Sequence, residues 1–109
     1  MKLPDNAVIA RGKLTGYLLL KLPENDKSGF LALAGYTLAN AEQLETDLCR
    51  QILTREAAFM ESTEYGDKFS IRGELTGPNA HQLDVVTVWM IESASGLTKF
   101  ITLYPAKRT

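Results

Sequence analysis

Leu83-Asp84-Val85-Val86-Thr87-Val88-Trp89-Met90-Ile91 is the stretch whose reading decides the fold. It is rich in β-branched and aromatic residues, and from Val85 onward apolar side chains fall on both faces. A strand with neighbours on either side and little contact with water needs that pattern. Upstream, Phe69, Ile71, Gly73 and Leu75 alternate with Lys68, Ser70, Arg72 and Glu74, the period of a half-buried strand. Thr76-Gly77-Pro78-Asn79 between the two runs is a strong loop signal. Centring the loop near Asn79 pairs Phe69 with Trp89, Ile71 with Thr87 and Gly73 with Val85 on one face. The other face then sets Lys68, Ser70 and Arg72 against Met90, Val88 and Val86. Short connections between successive strands favour an antiparallel meander. Ser93 to Gly96 turns the chain into a last strand, Lys99 to Tyr104, and Ala57 to Glu61 supplies a short first one ahead of a turn at Tyr65-Gly66-Asp67.

The first half of the chain has a helical period. Gly12 to Leu20 suits a short helix stopped by Pro23. Lys27 to Ala34 suits a second, with Asp26 as its N-cap and Gly35 at its C-terminal end. In the third, Asn40 and Gln43 form a capping box, and Ala41, Leu44, Leu48 and Ile52 share one face, widened by Cys49 and Leu53. This helix is expected to end near Glu56. The expected fold class is therefore α+β: about three N-terminal helices packed on one face of a C-terminal antiparallel meander of three to four strands. Residues 1–109 are expected to form a single domain.

Composition narrows the function classes. With 45% apolar and 23% charged residues the chain reads as globular. Twelve basic and 13 acidic residues give a net charge of −1, without the excess of a strongly basic nucleic-acid binder. The basic tail Lys107-Arg108 reads as solvated. A single cysteine, Cys49, forms no internal disulfide, and no secretory or membrane-spanning stretch is evident, so a cytoplasmic location and no membrane partner are expected. One histidine and one cysteine do not make the usual zinc ligand set, and the glycine-rich, phosphate-loop and Cys-x-x-Cys motifs are all missing, so no metal or cofactor is expected.

Few residues are left to carry chemistry. His81, the only histidine, follows a Gly-Pro-Asn loop, where it is exposed; its commoner role there is a solvated loop residue. Arg72 and Lys68, with Glu74, lie on one strand face, where Arg72 could grip a phosphate through its planar fork, although alternating charge is ordinary on a solvated face. Tyr65, Tyr104 and Trp89 could stack a base, but a buried tryptophan is more often core. Cys49 lies among apolar helix residues with no base beside it, which suits an inert buried thiol.

Several stretches carry a resemblance. They are Leu3-Pro4-Asp5-Asn6-Ala7 with Val8-Ile9, Lys13-Leu14 through Leu19, Gly35-Tyr36, Tyr65 to Phe69, Gly73-Glu74-Leu75-Thr76-Gly77-Pro78-Asn79, Val85 to Trp89 and Phe100 to Pro105. Together they resemble a family of small bacterial domains of unknown function, frequent in cyanobacteria. Members of that family look like toxin–antitoxin or polymorphic-toxin modules. The order of helices before a meander is similar to the barnase–EndoU–colicin–RelE nuclease superfamily. This chain differs from the family pattern at Ala80, where the turn after Pro-Asn is associated with glycine, and in having no basic residue from Ser28 to Ala34.

The resemblance implies a toxin-like domain that binds or cleaves RNA. Arg72 or Lys68 would stabilise the pentacovalent phosphate, and His81 or Tyr65 would handle protons. The alternative is a non-catalytic protein-interaction module, either an antitoxin- or immunity-type partner or a homodimer, using a sheet edge or helix face. A third class is a small-ligand binder with a pocket between helices and sheet.

Overall fold

The computed structural model describes residues 1–23 and 27–106. The expected Asp26 cap and the tail Lys107-Arg108 lie outside them. Four strands, β1 (Ala58–Thr63), β2 (Gly66–Thr76), β3 (Gln82–Glu92) and β4 (Thr98–Pro105), form one antiparallel sheet in the order β1-β2-β3-β4.

The β2–β3 ladder sets Phe69 opposite Trp89, Ile71 opposite Thr87, Gly73 opposite Val85 and Arg72 opposite Val86. That is the register the Asn79 loop dictates. Phe69, Ile71, Leu75, Leu83, Val85, Trp89, Phe100 and Leu103 are buried on the side that meets the helical segments. Trp89 is fully buried in the interior strand, with its ring edge-on to Phe100 at 5.2 Å. Its indole N–H donates to the Thr87 hydroxyl at 2.8 Å, and that hydroxyl donates to the Ile71 carbonyl at 3.1 Å. The one polar atom of the largest core side chain is thus satisfied within the core.

The helical half corrects the expected fold class. Among the described residues it forms three runs, 11–18, 28–32 and 38–52, but none is a regular α-helix of ordinary length beside the four strands. Their α-helical parts are α1 (Arg11–Lys13), α2 (Ser28–Ala32) and α3 (Ala41–Asp47), with a 3₁₀ turn over Leu38–Asn40 and π turns over Leu14–Leu18 and Leu48–Ile52. The physical reason is length. A helix has to repay a costly first turn; Gly12, Gly16 and Gly29 lie inside the first two runs and weaken them, and Pro23 and Gly35 stand just beyond their ends. The π turns follow from packing. Leu19 N–H reaches back to the Leu14 carbonyl and Leu53 N–H to the Leu48 carbonyl, each at 2.9 Å. The wider turn buries residues four and five apart together: Leu14, Leu18 and Leu19 in one, Leu48, Ile52 and Leu53 in the other.

The third helix starts at Ala41 with Asn40 in the N-cap position, as expected, but the Asn40 side chain makes no cap to it, and the helix stops earlier than expected. The capping box belongs to the 3₁₀ turn ahead of it and pairs Thr37 with Asn40: the Thr37 N–H donates to Asn40 Oδ1 at 2.7 Å and the Thr37 hydroxyl accepts from the Ala39 N–H. Gln43 instead donates to Asp47. Helical structure ends at Ile52 rather than near Glu56.

The β2–β3 loop is docked on the end of α2. Asn79 donates from its side chain to the Leu33 carbonyl at 3.0 Å, and Pro78 lies against Gly35, which takes a positive φ of 90°. Gly77 sits so close to Ala34 that a Cβ there would collide with its carbonyl. Glycine is required at this position by the close approach.

Candidate functional site

The sheet does not gather the expected site residues. Tyr65 lies in the β1–β2 turn, 67% exposed, with its carbonyl accepting from the Ser93 N–H. His81 sits beyond the opposite end of β2, exposed, with its N–H donating to Asn79 Oδ1 at 2.9 Å and its carbonyl accepting from Gly77. Eleven strand residues separate these two ends, about 34 Å at the ordinary rise. Arg72 is midway, on the face away from the helices, held by Asp84 through Nη2–Oδ2 at 2.9 Å and Nε–Oδ1 at 3.4 Å. That fork is engaged with a carboxylate, which raises the guanidinium pKa further. Lys68 is on the same face four residues toward Tyr65, opposite Met90 and Glu61. Arg72 and Lys68 therefore share a face, while Tyr65 and His81 occupy the two ends.

Cys49 is half-buried, and its thiol is pushed above its usual range by burial and, less, by Glu45. Among the described residues no group of His, Cys, Asp and Glu is arranged to hold a metal ion. No helix among them is long and apolar enough to cross a membrane.

The two margins of the sheet are unequal. Beyond β4, residue 8 covers the start of the margin: Val8 N–H donates to Thr98 O at 2.8 Å and Phe100 N–H to Val8 O at 2.9 Å. Beyond β1, residues 1 and 2 reach only as far as Glu56 and Ala57. Among the described residues, nothing pairs with the outer edge of Ala58–Thr63. This open edge is also apolar. Phe59 is 60% exposed, with its ring edge-on to Phe69 at 5.8 Å, and Met60 is 44% exposed at a bulge between Phe59 and Glu61. Unpaired strand edges usually carry charge or proline. Here Glu61 is the only charged residue of the strand.

Sequence reading placed a strand here but did not single out Phe59 and Met60. Two consecutive large apolar residues in a strand cannot both face one core, and that was the available signal. A second feature was also missed. The Tyr17 hydroxyl is 3.0 Å from the Thr102 hydroxyl, with Lys13 and Lys27 Nζ at 5.7 and 5.8 Å from the ring centre. The Thr102 hydrogen bond, and after it the nearby ammonium groups, hold the phenol below its ordinary pKa.

Fold and edge together define a small meander module with one sheet margin partly covered and the other open. The chain belongs to the family described as Domain of unknown function (DUF6883), which matches residues 2–107. No curated protein matches the chain, and neither does any solved structure.

Proposed function

We propose that this is a non-catalytic protein-interaction module that takes an extended segment of a cognate protein onto β1. The observation that carries the reading is the open edge of Ala58–Thr63, with Phe59 and Met60 exposed on it. An added strand would satisfy the outward-facing N–H and carbonyl groups of β1. Its alternate side chains would cover the two apolar residues, giving affinity through the main chain and specificity through the side chains. The cognate-partner role of antitoxin- and immunity-type proteins is of this kind. Cleavage of RNA draws no support from the arrangement, since proton-handling groups at opposite ends of a strand cannot serve one phosphate.

The test is selection of peptides from a displayed random library, followed by amide NMR of the complex. Peptides that shift the amides of residues 58–63, and that lose binding to a Met60→Lys variant, are expected. Selected peptides that all bind elsewhere, or total RNA cleaved by the purified chain, would overturn the reading. Sedimentation of the chain alone shows whether a second copy fills the edge.

A further inference from the structure

At the margin bridged by Val8, the strap of residues 8–13 and the start of β4 border a partly open cavity of about 290 Å³ lined by Val8, Ala10, Lys13, Lys99, Phe100 and Ile101. We propose that this cavity binds a small organic monoanion, a carboxylate carried on a short aliphatic chain or a single aromatic ring.

The walls argue for the apolar body. Four of the six lining residues are apolar, and Val8 is 45% exposed although its backbone is fixed by two hydrogen bonds to β4. A valine held rigidly with its side chain open to a concave space is a surface that an apolar ligand would cover. The volume lies at the small end of ligand sites, which limits the body to one ring or a short chain.

The two lysines argue for the anion and its charge. Lys99 Nζ is 3.0 Å from the Glu92 carboxylate. Lys13 has no carboxylate within ion-pair distance among the described residues; its contact is the face of Tyr17. Two lysine side chains line the cavity and one carboxylate is paired with one of them, so a monoanion is the charge complement of these three groups. Lys27 is on the Tyr17 ring but does not line the cavity. A doubly charged phosphate would therefore be under-neutralised there. The strap is anchored on β4 at Val8, and four residues beyond its other end the Tyr17 hydroxyl is 3.0 Å from the Thr102 hydroxyl, which limits how far the walls can move.

The experiment titrates the isotope-labelled full chain with hexanoate and follows backbone amides, with hexylammonium and inorganic phosphate as comparison probes. Saturable shifts confined to residues 8–13 and 99–101 are expected with hexanoate. Hexylammonium and phosphate should each bind at least about tenfold more weakly, the loss of one charge-assisted contact. Lys13→Met, at a partly exposed position, should weaken hexanoate by a similar factor, and Glu92→Gln, which releases Lys99, should tighten it. Each variant is checked for an unchanged amide spectrum away from the cavity. Equal binding of hexylammonium, phosphate binding as tightly as hexanoate, shifts that do not saturate, or a Lys13→Met affinity within twofold of the parent would each overturn the proposal.

Discussion

The Tyr36 hydroxyl donates to Asp47 Oδ2 at 2.6 Å, and both residues are buried between the helical layer and the end of β2. The same hydroxyl lies 3.2 Å from the Thr76 carbonyl, Gln43 donates to Asp47 Oδ1, and Gln51 bonds Thr76 through both ends of its amide. Five polar residues thus clasp α3 and the turn after it to the last residue of β2. Buried carboxylates are tolerated only when their oxygens are partnered, and here each has a donor.

Tyr36→Phe removes one donor and leaves Asp47 Oδ2 facing apolar surroundings. The expected cost is about 1–3 kcal/mol in urea unfolding. A loss under about 0.5 kcal/mol would mean that water takes over the carboxylate.

The same residue sets a pH dependence. Burial, then the Asp47 hydrogen bond and charge, push the phenol well above its ordinary value. The neutral form is the one the fold holds, so its contribution is complete below about pH 10, where the unfolded chain's tyrosine is also protonated. Above that, the unfolded state loses its proton first, and stability falls by up to about 1.4 kcal/mol per pH unit. The difference between parent and Tyr36→Phe should accordingly be flat from pH 7 to 9.5 and shrink at higher pH. A difference that grows with pH would contradict the assignment.

Thr87→Val tests the core's internal polar chain. The threonine hydroxyl accepts from Trp89 and donates to Ile71 O, and valine fills its volume while offering neither bond. The indole N–H is then buried without a partner, with an expected loss of about 1–3 kcal/mol. A red or blue shift of tryptophan emission gives a local reading of the same event. Unchanged stability and emission would show that the indole has another partner.

Ala80 takes a φ of 70° in the β2–β3 loop, a conformation costly for a residue with a Cβ. Its N–H closes the turn onto the Gly77 carbonyl at 2.9 Å, and the loop is pinned to Leu33 and Ala34, so the backbone has no easier geometry to relax into. Ala80→Gly is expected to stabilise the fold by about 0.5–1 kcal/mol, the relief of strain exceeding the added freedom of the unfolded chain. Destabilisation in thermal or urea unfolding would refute this.

The sheet was legible in the sequence because its information is local. Alternation through Phe69 to Leu75, the loop at Gly77-Pro78-Asn79 and the apolar run through Trp89 define one register, and a slip by a single residue would have turned the core face to water. The helical half was less legible because its geometry is set from outside each segment. Consecutive Leu18-Leu19 and Ile52-Leu53 both enter the core through π turns, the first packed on α3 and the second on β2. Asp47 reads as a polar helix position; the i,i+4 spacing links it to Gln43, but its burial also depends on Tyr36, which no spacing rule links to it. His81 and Tyr65 were joined as candidates by residue type alone, and strand length holds them apart.

The open edge yields the last prediction. Met60 sits on a bulge with no residue opposite it on β2 and is 44% exposed, so Met60→Lys disturbs neither ladder nor core and should alter stability by no more than about 0.5 kcal/mol. The lysine places a charge where an incoming strand would have to bury it, the device by which natural edge strands resist pairing. Binding of selected partner peptides should therefore fall by at least about tenfold, read by fluorescence anisotropy at matched ionic strength. Phe59→Ser should weaken the same peptides while also losing the edge-on contact with Phe69, so its binding loss comes with a measurable drop in stability. Loss of binding with unchanged unfolding in Met60→Lys separates recognition from folding at this edge, and full retention of binding in both variants would remove β1 from the interaction.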